Sequence, residues 1–590
     1  MSQIFKIDRF LGVNLNDTSM QIGEASNIVN FRITDDYKLK KREGYKQYLP
    51  TGTGGKIKSM WYGKINDEYH HIFVRDGKVY KYANPLIELG TIPDNESIEI
   101  YDFQGILYFL TNGYYKKWLG TGNIVDVEPY IPLIKVATRP DGKGTDYENL
   151  NLLTGKKRQK FRSNGTSKIY TLVEQNITSV DIVKHLGVIL TPTTDYTVNL
   201  TNGTITTTVQ YPEQIDDDIE VFWTKGTGNT TDVTNQKYSI AYGGGNDNRI
   251  LLYGNGNTII YSGLADGVSS AEYFPANNYM NIGTKQDDVI WLTKQYNTLL
   301  IFTDSNAWYS SLEFNTDTGL IDFPTYPLNS KIGTLCKGQL LQNNPFTLYK
   351  GGIYEWVSTT VRDEKNAILK SMRIQKELDN IDLKTCLTYD YEDKGEFWIC
   401  YSNNVWVYNY RLDVFYKYKL ADIPTCFLTI DKVLYFGTST GKIMQFQNKV
   451  TLENGTINYD ARTDAGQTIN SIAELGFMNF DNEYLRKFIQ YAFISIYPDS
   501  RSSLKLYWQT DKKSTEIPLK PTIDFNFFNF NDIDFSDFTF LCNYNPTPTK
   551  VKLKAKKFSY IKLILENNEL NDTVTVVSIT LPVIKGGYVK

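Results

Sequence analysis

One unit recurs along the chain: a short apolar run meets a tight turn and continues as an alternating strand that ends on an aromatic residue. Ile72–Tyr82 contains it in full, with Asp76-Gly77 at the turn. β-Branched and aromatic residues favour strands, while Gly, Asn and Asp tolerate the positive φ that tight turns need. Each copy therefore predicts a β-hairpin. The other copies lie at residues 105–115, 250–261, 299–309, 346–356, 397–408 and 433–446.

The spacing of these hairpins constrains the architecture. Apart from one long gap, they recur roughly every 35–50 residues, which is typical of the blades of a β-propeller. One hairpin cannot bury its own apolar face, whereas a ring of four-stranded blades can. We therefore predict an all-β chain containing a β-propeller of about six to eight blades.

Changes in this pattern predict four regions. Residues 1–134 would hold an N-terminal arm and the first blades, and residues 236–450 the remaining blades. Between them, residues 135–235 alternate as short strands and include the hairpin turn Asn202-Gly203, so we predict a small inserted β-domain. Residues 451–590 predict a C-terminal β-sandwich. Within it, the near period-two aromatics of Ile523–Phe540 predict either a loop laid on the sheet or an exposed adhesive edge.

Composition narrows the functional classes. The 63 basic and 66 acidic residues give a formal charge of −3, which argues against broad, unspecific nucleic-acid binding but not against contact with DNA in passing. No run approaches the roughly 18 apolar residues of a membrane helix. Charge interrupts the start at Lys6-Ile7-Asp8-Arg9, so we expect no signal peptide. The five Cys lack CxxC spacing, which favours assembly in a reducing cytoplasm.

The sequence offers no catalytic set, because it has no HExxH, no metal-spaced Cys/His group and no Gly-x-Ser-x-Gly elbow. We therefore predict that the chain is not an enzyme and has no catalytic residue, cofactor or metal site. His70, His71 and His185 are the only histidines, and we interpret the first two as edge or core residues. Asp216–Asp218 could bind a cation but is interpreted as a solvated turn. Lys156–Lys160 could touch phosphate or a membrane but is interpreted as a solvated loop.

Three segments carry a family resemblance. The first is the start of the chain, with Gly12-Val13-Asn14, then Gly23-Glu24-Ala25 followed by Asn27 and Asn30, and then Lys41-Arg42-Glu43-Gly44-Tyr45. These residues resemble the start of a group of bacteriophage virion proteins. These are β-propeller proteins of the tail or head–tail region, including the tail-nozzle (tubular) proteins of short-tailed phages. Residues 190–205 resemble small β-modules of phage tail and fibre proteins, and the ending resembles the β-sandwich that follows the propeller in the same proteins.

The resemblance implies a virion structural protein of the tail or neck. Proteins of the nozzle type form rings, often hexamers, stacked on the portal–adaptor complex, and genomic DNA leaves through the centre without sequence-specific binding. The implied partners are further copies of the chain, the portal, adaptor or other tail proteins and, as a further candidate, tail fibres, with no membrane anchor. The implied location is the virion, after assembly in the host bacterial cytoplasm.

Two other functions stay open because a fold does not fix a function. One is a receptor- or glycan-binding virion protein that uses the aromatic terminal sandwich. The other is a propeller glycan hydrolase, whose repeated Ser-x-Asp-x-Gly-x-x-Trp turn has a single partial match here, at Asn315–Phe323.

Overall fold

A computed structural model describes residues 2–16, 20–48, 54–94, 97–244, 246–316, 320–357, 366–453, 456–511, 522–524 and 545–588. Over these ranges the chain is all-β, as predicted, and the only α-helices are α1 (Thr230–Thr234) and α2 (Gln375–Leu378). The chain divides into two compact units, residues 1–60 with 334–590 and residues 61–333. Short 3-10 helices span Ser371–Arg373, Leu383–Thr385, Glu392–Lys394 and Asp460–Arg462.

The strands are numbered in chain order. The first five are β1 Ser2–Ile7, β2 Ala25–Val29, β3 Phe31–Ile33, β4 Leu39–Lys41 and β5 Tyr45–Gln47. The next are β6 Ile57–Ile65, β7 Glu68–Arg75, β8 Lys78–Lys81, β9 Ile87–Thr91, β10 Ile98–Phe103, β11 Ile106–Thr111, β12 Tyr114–Trp118, β13 Val125–Asp126, β14 Leu133–Thr138, β15 Thr145–Asp146, β16 Lys156–Phe161, β17 Ile169–Thr171, β18 Ser179–His185, β19 Val188–Ile189, β20 Tyr196–Asn199, β21 Thr204–Thr207 and β22 Ile219–Thr224.

The middle of the chain contributes β23 Tyr238–Tyr242, β24 Arg249–Tyr253, β25 Thr258–Tyr261, β26 Leu264–Ala265, β27 Val268–Ser269, β28 Tyr279–Asn281, β29 Val289–Gln295, β30 Thr298–Thr303, β31 Ala307–Ser310, β32 Glu313–Asn315, β33 Leu320–Asp322, β34 Thr325–Asn329, β35 Gln339–Leu341, β36 Asn344–Tyr349, β37 Gly352–Trp356 and β38 Ala367–Leu369. The last group is β39 Leu387–Tyr391, β40 Glu396–Tyr401, β41 Asn404–Asn409, β42 Val414–Lys419, β43 Pro424–Ile430, β44 Val433–Thr438, β45 Ile443–Phe446, β46 Thr451–Glu453, β47 Thr456–Asn458, β48 Thr463–Asp464, β49 Gln467–Thr468, β50 Ser471–Leu475, β51 Leu485–Tyr497, β52 Ser503–Thr510, β53 Thr522–Asp524, β54 Thr547–Phe558, β55 Ile561–Asn567 and β56 Thr575–Tyr588.

Residues 61–333 contain four of the predicted hairpins, each at the centre of a four-stranded antiparallel sheet. The strand orders are β6-β7-β8-β9, β10-β11-β12-β13, β23-β24-β25-β28 and β29-β30-β31-β34. At the turn of the first hairpin, Asp76 and Gly77 have φ of 51° and 68°, the left-handed conformation that this turn type requires. Apolar side chains from these sheets, such as Val74, Leu107 and Leu251, are fully buried.

Residues 133–224, in the same unit, form sheets of their own. One has the order β15-β14-β16-β22-β18-β19 and the other β17-β21-β20. The predicted turn at Asn202-Gly203 joins β20 to β21, which are paired. A separate core built on Phe161, Tyr170 and Trp223 lies between these strands.

The other three hairpins lie in the unit formed by residues 1–60 and 334–590. They sit in the strand orders β35-β36-β37-β38, β39-β40-β41-β42 and β43-β44-β45-β5. The last of these is completed by an N-terminal strand, because Tyr45 pairs with Phe446 and Gln47 with Met444. Residues at opposite ends of the sequence thus share one small sheet.

Two sheets in this unit enclose the C-terminal core. One has the order β3-β4-β56-β51-β54, with β1 also paired to β56, and the other runs β2-β50-β55-β52-β53 and joins β42 through β2. The structure differs here from the sequence-based division, which placed residues 1–134 in an arm and first blades. Strands β1–β4 instead pair in these sheets because Ile7, Ile28 and Phe31 fill the core between them.

The aromatic segment Ile523–Phe540 is described only at its start. Residues 522–524 form β53, which pairs with β52. The rest of this segment lies outside the described residues, and the choice between a loop on the sheet and an exposed edge stays a prediction.

Candidate functional site

Asn30 and Arg42, from the motif residues at the start of the chain, belong to one polar network, and Asn14 and Glu24 make a separate contact. Asn14 donates to the Glu24 carboxylate at 2.8 Å. Asn30, at φ 59°, accepts from Arg42 Nε at 2.8 Å and from the Lys419 backbone N–H at 2.8 Å. Asn tolerates the left-handed conformation better than most residues. The motif therefore has a structural role here, because Asn30 joins the N-terminal strands of the sandwich to β42, in the sheet of the β40–β41 hairpin.

Arg42 and Asp464 form the central ion pair of this network. Two guanidinium nitrogens of Arg42 donate to the two Asp464 oxygens at 2.8 and 2.6 Å. Their side chains are only 1% and 4% exposed. A bidentate pair in so little water is strong and directional, and it holds β4 and β5 against β48.

Glu43 is the next residue and contacts three cations. Lys394, Arg32 and Lys40 lie 2.9, 3.3 and 3.0 Å from its carboxylate. Burial would raise the pKa of Glu43, but these three charges together hold it well below its usual range. Glu43 is therefore a largely buried anionic anchor for these three cations.

A cavity of about 380 Å³ lies beside this junction. Within its charged lining, Lys40 contacts Glu43 and Arg462 donates to Asp499 at 2.7 Å, whereas Lys41 donates to the neutral Asn567 side chain at 2.6 Å. The exposed Lys449 also lines it. Nothing in this lining provides a convergent set of ligands.

Of the three histidines, His70 and His71 are buried, as edge or core residues would be, and His185 is half-buried. His70 is buried beside Trp118, with ring centroids 4.9 Å apart, and burial lowers the pKa of His71 to about 4. His185 stacks on Tyr211 at 3.7 Å. The structure brings His70 and His71 together only as sequence neighbours on β7.

The interpretation of Asp216–Asp218 as a solvated turn holds for the exposed Asp216 but is wrong for Asp218, which is 5% exposed. Asp217 accepts from the Ala137 backbone N–H at 3.1 Å, and buried Asp218 accepts from Ser163 Oγ at 2.6 Å. The carboxylates thus serve separate local contacts. Across the residues that the structure describes, no group of three His, Cys, Asp or Glu side chains could hold a metal ion.

The interpretation of Lys156–Lys160 as a solvated loop is wrong. These residues belong to β16, a central strand between β14 and β22. Lys157 is buried, donates to Glu174 at 2.8 Å and lies 4.8 Å from the Trp223 ring. Lys157, Gln159 and Phe161 alternate inward, so the run has the period of a strand despite its charge.

Four of the five cysteines lie within the described ranges, and Cys542 lies outside them. None of these four is an activated nucleophile. Cys336, Cys386, Cys400 and Cys426 are free thiols. Burial raises the pKa of Cys386 to about 12 and that of Cys426 to about 11. A thiol protonated at neutral pH is a poor nucleophile.

Asp390 on β39 is an isolated carboxyl whose pKa burial raises to about 6. Tyr410 donates to it at 3.2 Å. Because the pKa of Asp390 is higher in the folded chain than the unfolded value near 3.9, folding favours the protonated carboxyl. This contribution to the free energy of unfolding is fully present below about pH 4 and is lost as the pH rises through about 6. We expect Asp390→Asn to raise the free energy of unfolding by on the order of 1–2 kcal/mol at pH 8, a figure reduced for partial exposure, and to change little at pH 4.

Urea unfolding at the two pH values checks this expectation. Asp393→Asn, at an exposed neighbouring carboxyl, is the matched control and should change stability equally little at both. A gain for Asp390→Asn that is the same at pH 4 and pH 8 would contradict the assignment.

One face of the C-terminal sandwich is both basic and aromatic. We define the basic–aromatic face as the outward side chains of β1, β56, β51 and β54. Along β54, Lys550, Lys552, Lys554 and Lys556 are exposed, whereas Val551, Leu553 and Ala555 between them are buried. On the adjacent β51, the outward residues that belong to the face are the half-buried Phe488, Tyr491 and Phe493.

Strand register places these side chains in transverse rows. Phe493 is opposite Lys550 on one side and Thr580 on the other, and Thr580 is opposite Lys6. A second row runs from Lys556 through Phe488 to Ile584. Directly opposed residues share one face of a sheet. The Lys550 ammonium lies 3.8 Å from the Tyr491 ring centroid.

The charge on this face is unbalanced. None of the six strands in its sheet contains Asp or Glu. No carboxylate among the described residues forms an ion pair with the exposed lysines of β54. The other sheet of the sandwich differs, because Lys505 pairs with Glu569 at 2.6 Å and Lys562 pairs with Glu474. Sequence reasoning missed this face by averaging charge over the chain, although the alternation Lys550-x-Lys552-x-Lys554-x-Lys556 was a visible signal.

Neither a protein-family model nor a curated protein matches the sequence. Among solved structures, the computationally designed protein Ika8 is similar at 10% identity and a TM-score of 0.31, over 68% of this chain and 99% of that one. BamB from Moraxella catarrhalis is similar at 12% identity and a TM-score of 0.32, over 70% and 99%. Raptor from Chaetomium thermophilum is similar at 9% identity and a TM-score of 0.35, over 69% of this chain and 29% of that one. At these values the neighbours define neither a family nor a function for this chain.

No helix within the described ranges has the length and apolar character needed to cross a membrane.

Proposed function

We propose that this chain is a structural protein of a bacteriophage virion, a ring-forming component of the tail or neck. The observation that carries the proposal is the series of seven hairpin-centred meanders of four strands, the last completed by β5. We assign these meanders to the seven blades of a β-propeller, with residues 135–235 inserted and residues 451–590 as the terminal sandwich. Pairing the first part of the chain with the last repeat is a way to close such a ring.

The charged groups at the motif junction support a mechanical role. Arg42 pairs with Asp464. Glu43 pairs with Lys394, Arg32 and Lys40. Paired buried charges that specify one arrangement fit a rigid building block. In the proposed ring the blades form a wall, loops make the contacts between copies, and the portal or adaptor lies on one side.

Genomic DNA would pass through the centre of this ring without sequence-specific contacts. Phosphate binding strengthens with each basic contact, so a wall that lets DNA slide needs few exposed cations along the channel. Tail fibres and other tail proteins are the further proposed partners, and the virion is the proposed location.

Electron microscopy of the purified full-length chain tests the proposal. We expect closed rings, with hexamers as the leading stoichiometry, and density for the chain at the neck or tail of particles that contain it. Monomers alone at micromolar concentration, together with a position away from the neck and tail, would contradict it. A position at the tail tip with binding on a glycan array would favour the receptor-binding alternative.

A further inference from the structure

We infer that the basic–aromatic face of the terminal sandwich binds nucleic acid through its phosphate backbone. This inference goes beyond the proposed structural function and stands on the face alone. It holds whether or not the chain forms a ring.

The spacing of the lysines suits a regular polyanion. Residues two apart on a strand lie about 6.6–6.8 Å apart, so the four exposed lysines from Lys550 to Lys556 extend over about 20 Å. About six base pairs of duplex, or at most about six nucleotides of a single strand, fit along this length at about 3.4 Å per step. Lysine is a point charge that serves phosphate well.

The rings beside the lysines favour nucleic acid over other polyanions. Phe488, Tyr491 and Phe493 form a line on β51 directly next to the lysine strand. Sites for single strands combine a cationic track with aromatic side chains on which bases stack. An acidic protein partner would bind the lysines but would gain little from the line of aromatic rings.

Protection of a sheet edge explains only part of this arrangement. Lysines on a terminal strand discourage pairing with other strands, and β54 ends the described strand order of its sheet. That role does not explain why none of the six strands of this sheet contains a carboxylate. Charge complementarity to phosphate accounts for it and rests on the lysines of β54, because Lys6, at the end of the row on β1, already pairs with Asp8 at 3.4 Å.

Fluorescence anisotropy with the full-length chain tests the inference, using labelled single-stranded and duplex DNA of about 20 nucleotides. We expect micromolar dissociation constants at about 50 mM salt. The triple variant K552A/K554A/K556A should bind at least about tenfold more weakly, and its slope of log affinity against log salt should fall by about 2–3.

A matched control keeps the same net charge. K143A/K285A/K384A removes three exposed lysines on other elements and should bind as the unmodified chain does. Equal thermal melting temperatures for both triple variants ensure that a loss is not due to unfolding. Equal loss in both, or no binding by the unmodified chain, overturns the inference.

The two DNA probes and one further variant identify the bound form. If the chain prefers single-stranded DNA and Tyr491→Leu removes that preference, bases stack on the face. If duplex binds equally well or better, the face contacts phosphate alone. Alginate, a regular polycarboxylate without bases, is the competitor. Displacement of both DNA probes by alginate at a lower concentration of charge would overturn nucleic acid as the partner.

Discussion

Asp464→Asn is expected to lower the free energy of unfolding of the unit formed by residues 1–60 and 334–590 by about 3–5 kcal/mol. The substitution keeps the volume but leaves the Arg42 guanidinium charged, since arginine does not deprotonate in proteins, and 1% exposed. The remaining acceptors are the Asn30 side-chain oxygen, 2.8 Å from Arg42 Nε, and the backbone carbonyls of Glu43 and Lys419, 3.1 and 3.0 Å from the guanidinium. They solvate the cation without neutralising it.

Equilibrium urea unfolding followed by tryptophan fluorescence measures this loss. Asp8→Asn is the control, because it makes the same chemical change in an ion pair with Lys6 whose side chains are 55% and 52% exposed. An exposed pair of this kind contributes at most about 1 kcal/mol. Similar losses for the two variants would show that the buried pair does not hold the junction.

Gly44→Ala is expected to cost more than about 4 kcal/mol or to prevent folding of the same unit. An added Cβ would lie 2.0 Å from the Thr463 carbonyl oxygen and 2.7 Å from that of Asp460. Both atoms belong to the backbone, so the clash cannot be relieved by rotating a side chain. The strand β5 would have to move, and with it the contact from the Gly44 N–H to the Ala461 carbonyl at 2.8 Å.

Gly587→Ala is the matched control for this prediction. Its added Cβ meets no atom within 4 Å, and we expect a change within about 0.5 kcal/mol. Circular dichroism and the urea midpoint distinguish the two variants. A soluble Gly44→Ala protein with an unchanged midpoint would mean that β5 has room to shift.

Local patterns were sufficient to predict the hairpins. Asp76-Gly77 and Asn202-Gly203 fix tight turns within a few residues of chain, and the flanking strands alternate with period two. The all-β class follows from the same signals. The pairing of β5 with β45, or of β1 with β56, joins residues hundreds of positions apart, and no local pattern encodes such a partner.

Charge was the weaker guide. The composition of Lys156–Lys160 predicts a solvated loop. In the structure, Lys157 lies inside a sheet and donates to the Glu174 carboxylate. Conversely, the near-neutral total of the chain hid the lysines of β54. In both places the alternation of side chains along a strand carried more information than the number of charges.

The pairing of β1 with β56 also has a consequence for synthesis. Ser2–Ile7 are synthesised before the several hundred residues that separate them from their partners Ile579–Ile584. At about 5–20 residues per second this interval is roughly 30–120 s. During that time β1 has no native partner, so a product truncated before β56 cannot finish this unit.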